Sequence, residues 1–123
     1  MGTSYRIDNG ELVVTKPNGT IVWAGRPEDC DVVDLIALPE GDAIVLLDYR
    51  CGLRAMKPFR NLMRVRGDGT LAWRADVLLW GDGYVSIELE KDGSLSATTW
   101  EGWRVQLDMA TGRVLSRVYV SEF

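Results

Sequence analysis

Hydrophobic and polar residues alternate with period two along most of this chain. Across 84–90, Val85, Ile87 and Leu89 fall on one side, and Ser86, Glu88 and Glu90 on the other. Across 103–108, Trp103, Val105 and Leu107 oppose Arg104, Gln106 and Asp108. A strand with one buried face demands this alternation, because successive side chains point to opposite faces of a sheet. Turn signals punctuate the short apolar runs: Asn9-Gly10, Asn18-Gly19, Gly41-Asp42, Asp68-Gly69 and Asp92-Gly93, with Thr111-Gly112 ending a slightly longer turn. Glycine supplies the positive φ that such turns need, and Asn or Asp tolerates it better than other residues. The pattern predicts about eleven strands. They lie near 4–8, 11–16, 20–24, 33–38, 43–49, 61–66, 70–75, 84–90, 94–100, 103–108 and 113–121.

This is an all-β reading, an antiparallel meander of hairpins in a single domain over residues 1–123. One segment leaves a choice open. Pro27-Glu28-Asp29 is a fair helix start, so 31–38 reads either as a short helix or as a strand, and the β-branched pair Val32-Val33 favours the strand. The stretch 50–60 carries Gly52, Pro58 and the basic residues Arg50, Arg54, Lys57 and Arg60, and reads as the longest irregular loop.

Three segments repeat: Gly19-Thr20-Ile21-Val22-Trp23, Gly69-Thr70-Leu71-Ala72-Trp73 and Gly112-Arg113-Val114-Leu115-Ser116. They recur roughly 40 to 50 residues apart, within repeats near 11–24, 61–75 and 103–120. A further hairpin between consecutive copies gives four strands per unit, with the N-terminal unit one strand short. This resembles the blade of a β-propeller, and more closely the repeat of quinoprotein-dehydrogenase-like (PQQ-type) propellers. Asp108-Met109-Ala110-Thr111-Gly112-Arg113 is similar to that family's Asp-x-x-Thr-Gly-Lys stretch before a docking tryptophan. Ser116 stands where that tryptophan would be, whereas Trp23 and Trp73 keep it. The resemblance implies that Trp23 and Trp73 pack between neighbouring blades. It carries over no cofactor, since none of the family's cofactor residues matches a position here.

Closed propellers take roughly four to eight four-stranded blades. About eleven strands make fewer than three, so two arrangements stand. Two chains complete one ring as a homodimer, or the strands of one chain close into a barrel or sandwich.

Hydrophobic residues at 46% and charged residues at 26% are ordinary globular usage, and no stretch reaches the length of a membrane span. Lys and Arg number 14 against 18 Asp and Glu, a net charge of −4, which disfavours a nucleic-acid partner. Residues 1–5 lack the charged and apolar regions of an export signal, so a cytoplasmic setting is expected. There Cys30 and Cys51 are expected as reduced thiols, with a disulfide as the alternative. Cys30 sits between Asp29 and Asp31, which disfavours a thiolate, and Cys51 has Arg50 and Arg54 nearby.

Candidate chemistry is thin. The chain has no histidine, which removes the usual general base, the Ser–His and Cys–His nucleophiles and the common zinc sets. Asp48, Glu88, Glu90 and Glu101 are the acids that could pair for catalysis, but all are expected on solvent-facing positions or turns. No catalytic, cofactor or metal residue is assigned. The notable local feature is aromatic. Trp80, Tyr84, Trp100 and Trp103 cluster in the C-terminal half. With Val85, Ile87 and Leu89 inward, Tyr84 points outward, and Trp100 lies on the side of Ser96 and Thr98. Outward aromatics at strand ends are typical interface anchors. Arg54 and Arg60 form a basic rim beside them. The reading is a non-catalytic binding or assembly module that self-associates as a dimer. The alternatives are a carbohydrate or small-molecule binder using these aromatics, and an immunity-like inhibitor of a basic partner.

Overall fold

The computed structural model describes residues 3–53, 60–76 and 82–120. Among them, eleven strands form three antiparallel sheets. The first sheet joins β1 (Ser4–Asp8), β2 (Glu11–Thr15) and β3 (Ile21–Gly25) in chain order. The second joins β4 (Val32–Ala37), β5 (Ala43–Leu47), β6 (Leu62–Val65) and β7 (Leu71–Arg74). The third joins β8 (Tyr84–Leu89), β9 (Leu95–Thr99), β10 (Trp103–Leu107) and β11 (Val114–Tyr119). The only helical pieces among the described residues are a 3₁₀ turn at Pro27–Asp29 and one turn of α-helix, α1 (Arg50–Leu53). Segment 31–38 therefore resolves as strand β4, preceded by the short turn that Pro27 starts. The strands lie in three separate sheets rather than in one closed barrel.

Sheet pairing explains the packing. On β5, Ile44 and Leu46 face the third sheet and meet Leu62, Trp73, Leu95, Ala97, Val105 and Leu107. Ala43, Val45 and Leu47 face the first sheet and meet Leu12, Val14, Met63 and Val65. The second sheet is thus covered on both faces, and all five residues of β5 are buried. A strand buried on both sides needs a continuous apolar run, which Ala43 to Leu47 supplies.

The repeats are exact in their irregularities. One extra residue interrupts the ladder between Val14 and Thr15, between Arg64 and Val65, and between Gln106 and Leu107. Each β-bulge precedes a tight turn in which a side-chain oxygen grips the following amide. Asn18 accepts from the Thr20 amide at 2.9 Å, Asp68 from Thr70 at 2.9 Å, and Asp108 from Ala110 at 3.1 Å, and the β8–β9 turn is built alike, with Asp92 accepting from Ser94 at 2.9 Å. Hydrogen bonds from the Thr70 and Ser94 hydroxyls hold the Asp68 and Asp92 carboxyls below their ordinary pKa.

Trp23 and Trp73 do what the repeat implied. The ring of Trp23 lies 3.3 Å from where a Cβ on Gly69 would sit, and the ring of Trp73 occupies that space at Gly112. The Trp73 indole also donates to the Met109 carbonyl at 2.8 Å. Each docking tryptophan rests on the turn glycine of the next sheet, where any larger residue would displace it.

Candidate binding surface at the loop end

In a meander, alternate connections fall at opposite ends of each sheet. Four connections at one end, β2–β3, β4–β5, β6–β7 and β8–β9, close with the same pair of backbone bonds, as in Arg66 amide to Thr70 carbonyl and Gly69 amide to Arg66 carbonyl. The other end carries the long connections, β3–β4, β5–β6 and β7–β8. Longer, less regular segments on a rigid scaffold are where binding groups concentrate.

Two bulges shape this end. Val32 pairs with Leu47 and Asp34 with Leu46, leaving Val33 extra; Tyr84 pairs with Thr99 and Ser86 with Thr98, leaving Val85 extra. Val33 and Val85 line a cavity of about 300 Å³ with Asp48, Tyr49 and Arg50. The second bulge also overturns the expectation for Tyr84. It puts Tyr84 opposite Thr99, on the same face as Ala97 and Leu95, so the ring is 2% exposed rather than outward. Strict alternation fails wherever a bulge adds a residue. The Tyr84 hydroxyl donates to the Asp76 carbonyl at 2.5 Å, and burial pushes its pKa well up.

Asn61 ties the second and third sheets beneath this surface. Its side-chain amide donates to the Leu47 and Tyr84 carbonyls, both at 2.8 Å, and its oxygen accepts from the Tyr84 amide at 3.0 Å. A fully buried amide is tolerable because these three bonds replace its water.

Trp100 is the exposed anchor, 54% accessible and stacked on Tyr49 with ring centres 5.2 Å apart and planes 17° apart. Its turn is pinned from below. The Trp100 amide donates to the Gly83 carbonyl at 2.8 Å, and the buried Asp82 carboxylate accepts from the Gly83 and Glu101 amides. Arg50 reaches back to Asp48 at 2.8 Å, and that carboxylate keeps its guanidinium firmly charged.

Cys30 and Cys51 are joined by a disulfide, Cα atoms 6.1 Å apart, which corrects the expectation of reduced thiols. The Asp48 amide donates to the Asp31 carbonyl at 2.9 Å, and this backbone bond brings the start of β4 against α1. Local charge around each cysteine could not reveal that approach.

The remaining candidates divide. Trp103 is half-buried, with Tyr119 edge-on at 5.5 Å and the Arg117 guanidinium 5.2 Å from its ring centre. Arg60 is turned onto the end of β7, donating to the Ala75 carbonyl at 3.1 Å and the Arg74 carbonyl at 2.7 Å, so it forms no free rim. Trp80 and Arg54 lie outside the described residues. Of the acids, Glu88 and Glu90 both clasp Arg104, at 3.1 and 3.2 Å, on the third sheet, while Asp48 and Glu101 lie at the loop end. No group of three or more metal-ligating side chains occurs among the described residues. Nor is any helix there long and apolar enough to cross a membrane. Tyr49 carried no signal in the sequence, since its role depends on a partner ring from another sheet.

Twisted antiparallel sheets stacked face to face with tryptophan docks define a propeller-like protein, and solved structures agree. The chain is similar to BamB from Moraxella catarrhalis, at 11% identity and a TM-score of 0.58, covering 94% of this chain and 33% of that one. It is similar to the C-terminal WD40 domain of Sif2, at 14% identity and a TM-score of 0.61, covering 92% and 32%. Streptogramin B lyase matches at 15% identity and a TM-score of 0.57, covering 88% and 34%. These likenesses are of fold alone, and the chain spans about a third of each neighbour's length. A family profile, the domain of unknown function DUF7957, matches residues 29–119, and the chain belongs to that family. No curated protein matches its sequence.

Proposed function

We propose that this chain is a non-catalytic binding module that engages its partner at the loop end, with Trp100 as the anchor. The observation that carries the proposal is the stack of Trp100 on Tyr49. It holds an exposed aromatic rigidly beside a cavity, on the end of the fold that carries the long connections. A large amphipathic ring already fixed in place loses little conformational entropy on binding. Asp29, Asp31 and Asp48 surround the neighbouring hollow at the disulfide, with Arg50 beside them. This acidic setting favours a protein partner that presents basic groups. The rigid stack also suits a sugar ring, which is the second reading.

Three measurements test the proposal. Partner capture by the whole chain is compared between wild type and Trp100→Ala. Quenching of tryptophan fluorescence is followed over a glycan panel, again in both proteins. The retained partner is then eluted with increasing salt. Capture lost in Trp100→Ala, with salt-sensitive elution, supports the protein partner. Quenching by a glycan that vanishes in Trp100→Ala supports the second reading. Equal capture and no quenching in either protein would sink both.

A further inference from the structure

The three sheets superimpose strand for strand by their registers, so one can ask what stands at each docking position on the two outermost faces. On the second sheet, the face turned to its follower carries Ile36, Ile44, Leu46, Leu62 and Trp73, all in the apolar cluster, with Arg64 among them bonded to Asp42 and the Met109 carbonyl. The pairing registers give the matching positions on the third sheet as Glu88, Ser96, Thr98, Arg104 and Ser116. Every one is polar. The opposite face of the second sheet carries Val45, Leu47 and Val65. The first sheet has Arg6, Asp8 and Thr15 at the same register positions, and the apolar residues paired onto that face are Val13, Ala24 and the exposed Ile21.

We infer that these two outer faces are caps turned to solvent, so the three-sheet stack takes no further blade on either side. Two other observations agree. First, the series of docks stops within the chain. Trp23 rests on Gly69 and Trp73 on Gly112, but the next position is Ser116. Second, the third sheet's outer face satisfies its own charges: Arg104 bonds both Glu88 and Glu90, and Ser96 donates to Glu90 at 3.2 Å. Burying that network against another sheet would cost its hydration without offering new partners. Stacked-repeat proteins end in units with polar outer faces for the same reason. Counting blades left open a ring completed by a second copy; the chemistry of the faces argues against it.

Light scattering after size-exclusion chromatography tests this on the whole chain, as wild type, as Arg6→Glu and as Gln106→Lys, one substitution on each outer face. Circular dichroism confirms folding. The expected result is one and the same mass for all three proteins. A single-chain mass throughout supports the caps. A dimer mass retained in all three also supports them, because it places association elsewhere. A dimer of the wild type that falls to a single chain in either variant would overturn the inference.

Discussion

Asn61 shows how much one side chain can carry in this fold. It stands just before β6, is fully buried, and spends its amide on carbonyls from two different sheets. Removing it leaves the Leu47 and Tyr84 backbone groups without that partner in a dry environment, a loss of roughly 2–4 kcal/mol. Urea unfolding of Asn61→Ala should show a drop of that size with an unchanged slope. A loss below about 0.5 kcal/mol, the level of an ordinary surface change, would mean that water replaces the amide. Tyr84 illustrates the complementary lesson. Its burial follows from one inserted residue, Val85, and not from its own chemistry.

At the scale of the element, the hairpin glycines look alike in sequence and differ in what surrounds them. Gly93 and Gly112 both have positive φ, 88° and 77°. Around Gly93 nothing lies within 4 Å of an added Cβ, whereas at Gly112 that space is taken by the Trp73 ring. Gly93→Ala therefore meets only the backbone penalty, roughly 1–2 kcal/mol. Gly112→Ala adds displacement of a docked tryptophan and should cost about 3 kcal/mol or more. Paired denaturation curves would check the ranking, and equal losses would show that Trp73 moves aside freely.

For the molecule as a whole, two apolar clusters bind three sheets together, and the disulfide closes the loop end across a separation of 21 residues. Loop closure of this length contributes about 3 kcal/mol by restricting the unfolded chain. Reduction with a phosphine should lower the thermal midpoint by on the order of 10 °C, and the variant with Cys30→Ser and Cys51→Ser should melt at the same lowered temperature without reductant. An unchanged midpoint on reduction would show that the bond does not stabilise the fold.

Resemblance to propeller blades implied the docking role of Trp23 and Trp73, and the sequence by itself determined the eleven strands and their grouping into units of three, four and four. These follow from local rules: period-two alternation, turn residues that accept positive φ, and a motif repeated within one chain. The tertiary structure alone decided which aromatics are exposed, since a bulge inverts every side chain beyond it and alternation cannot reveal a bulge. It also decided the Cys30–Cys51 bond, the stacking of Tyr49 on Trp100 and the turning of Arg60 onto β7. Each of these joins residues distant in sequence, and their meeting depends on how the sheets stack.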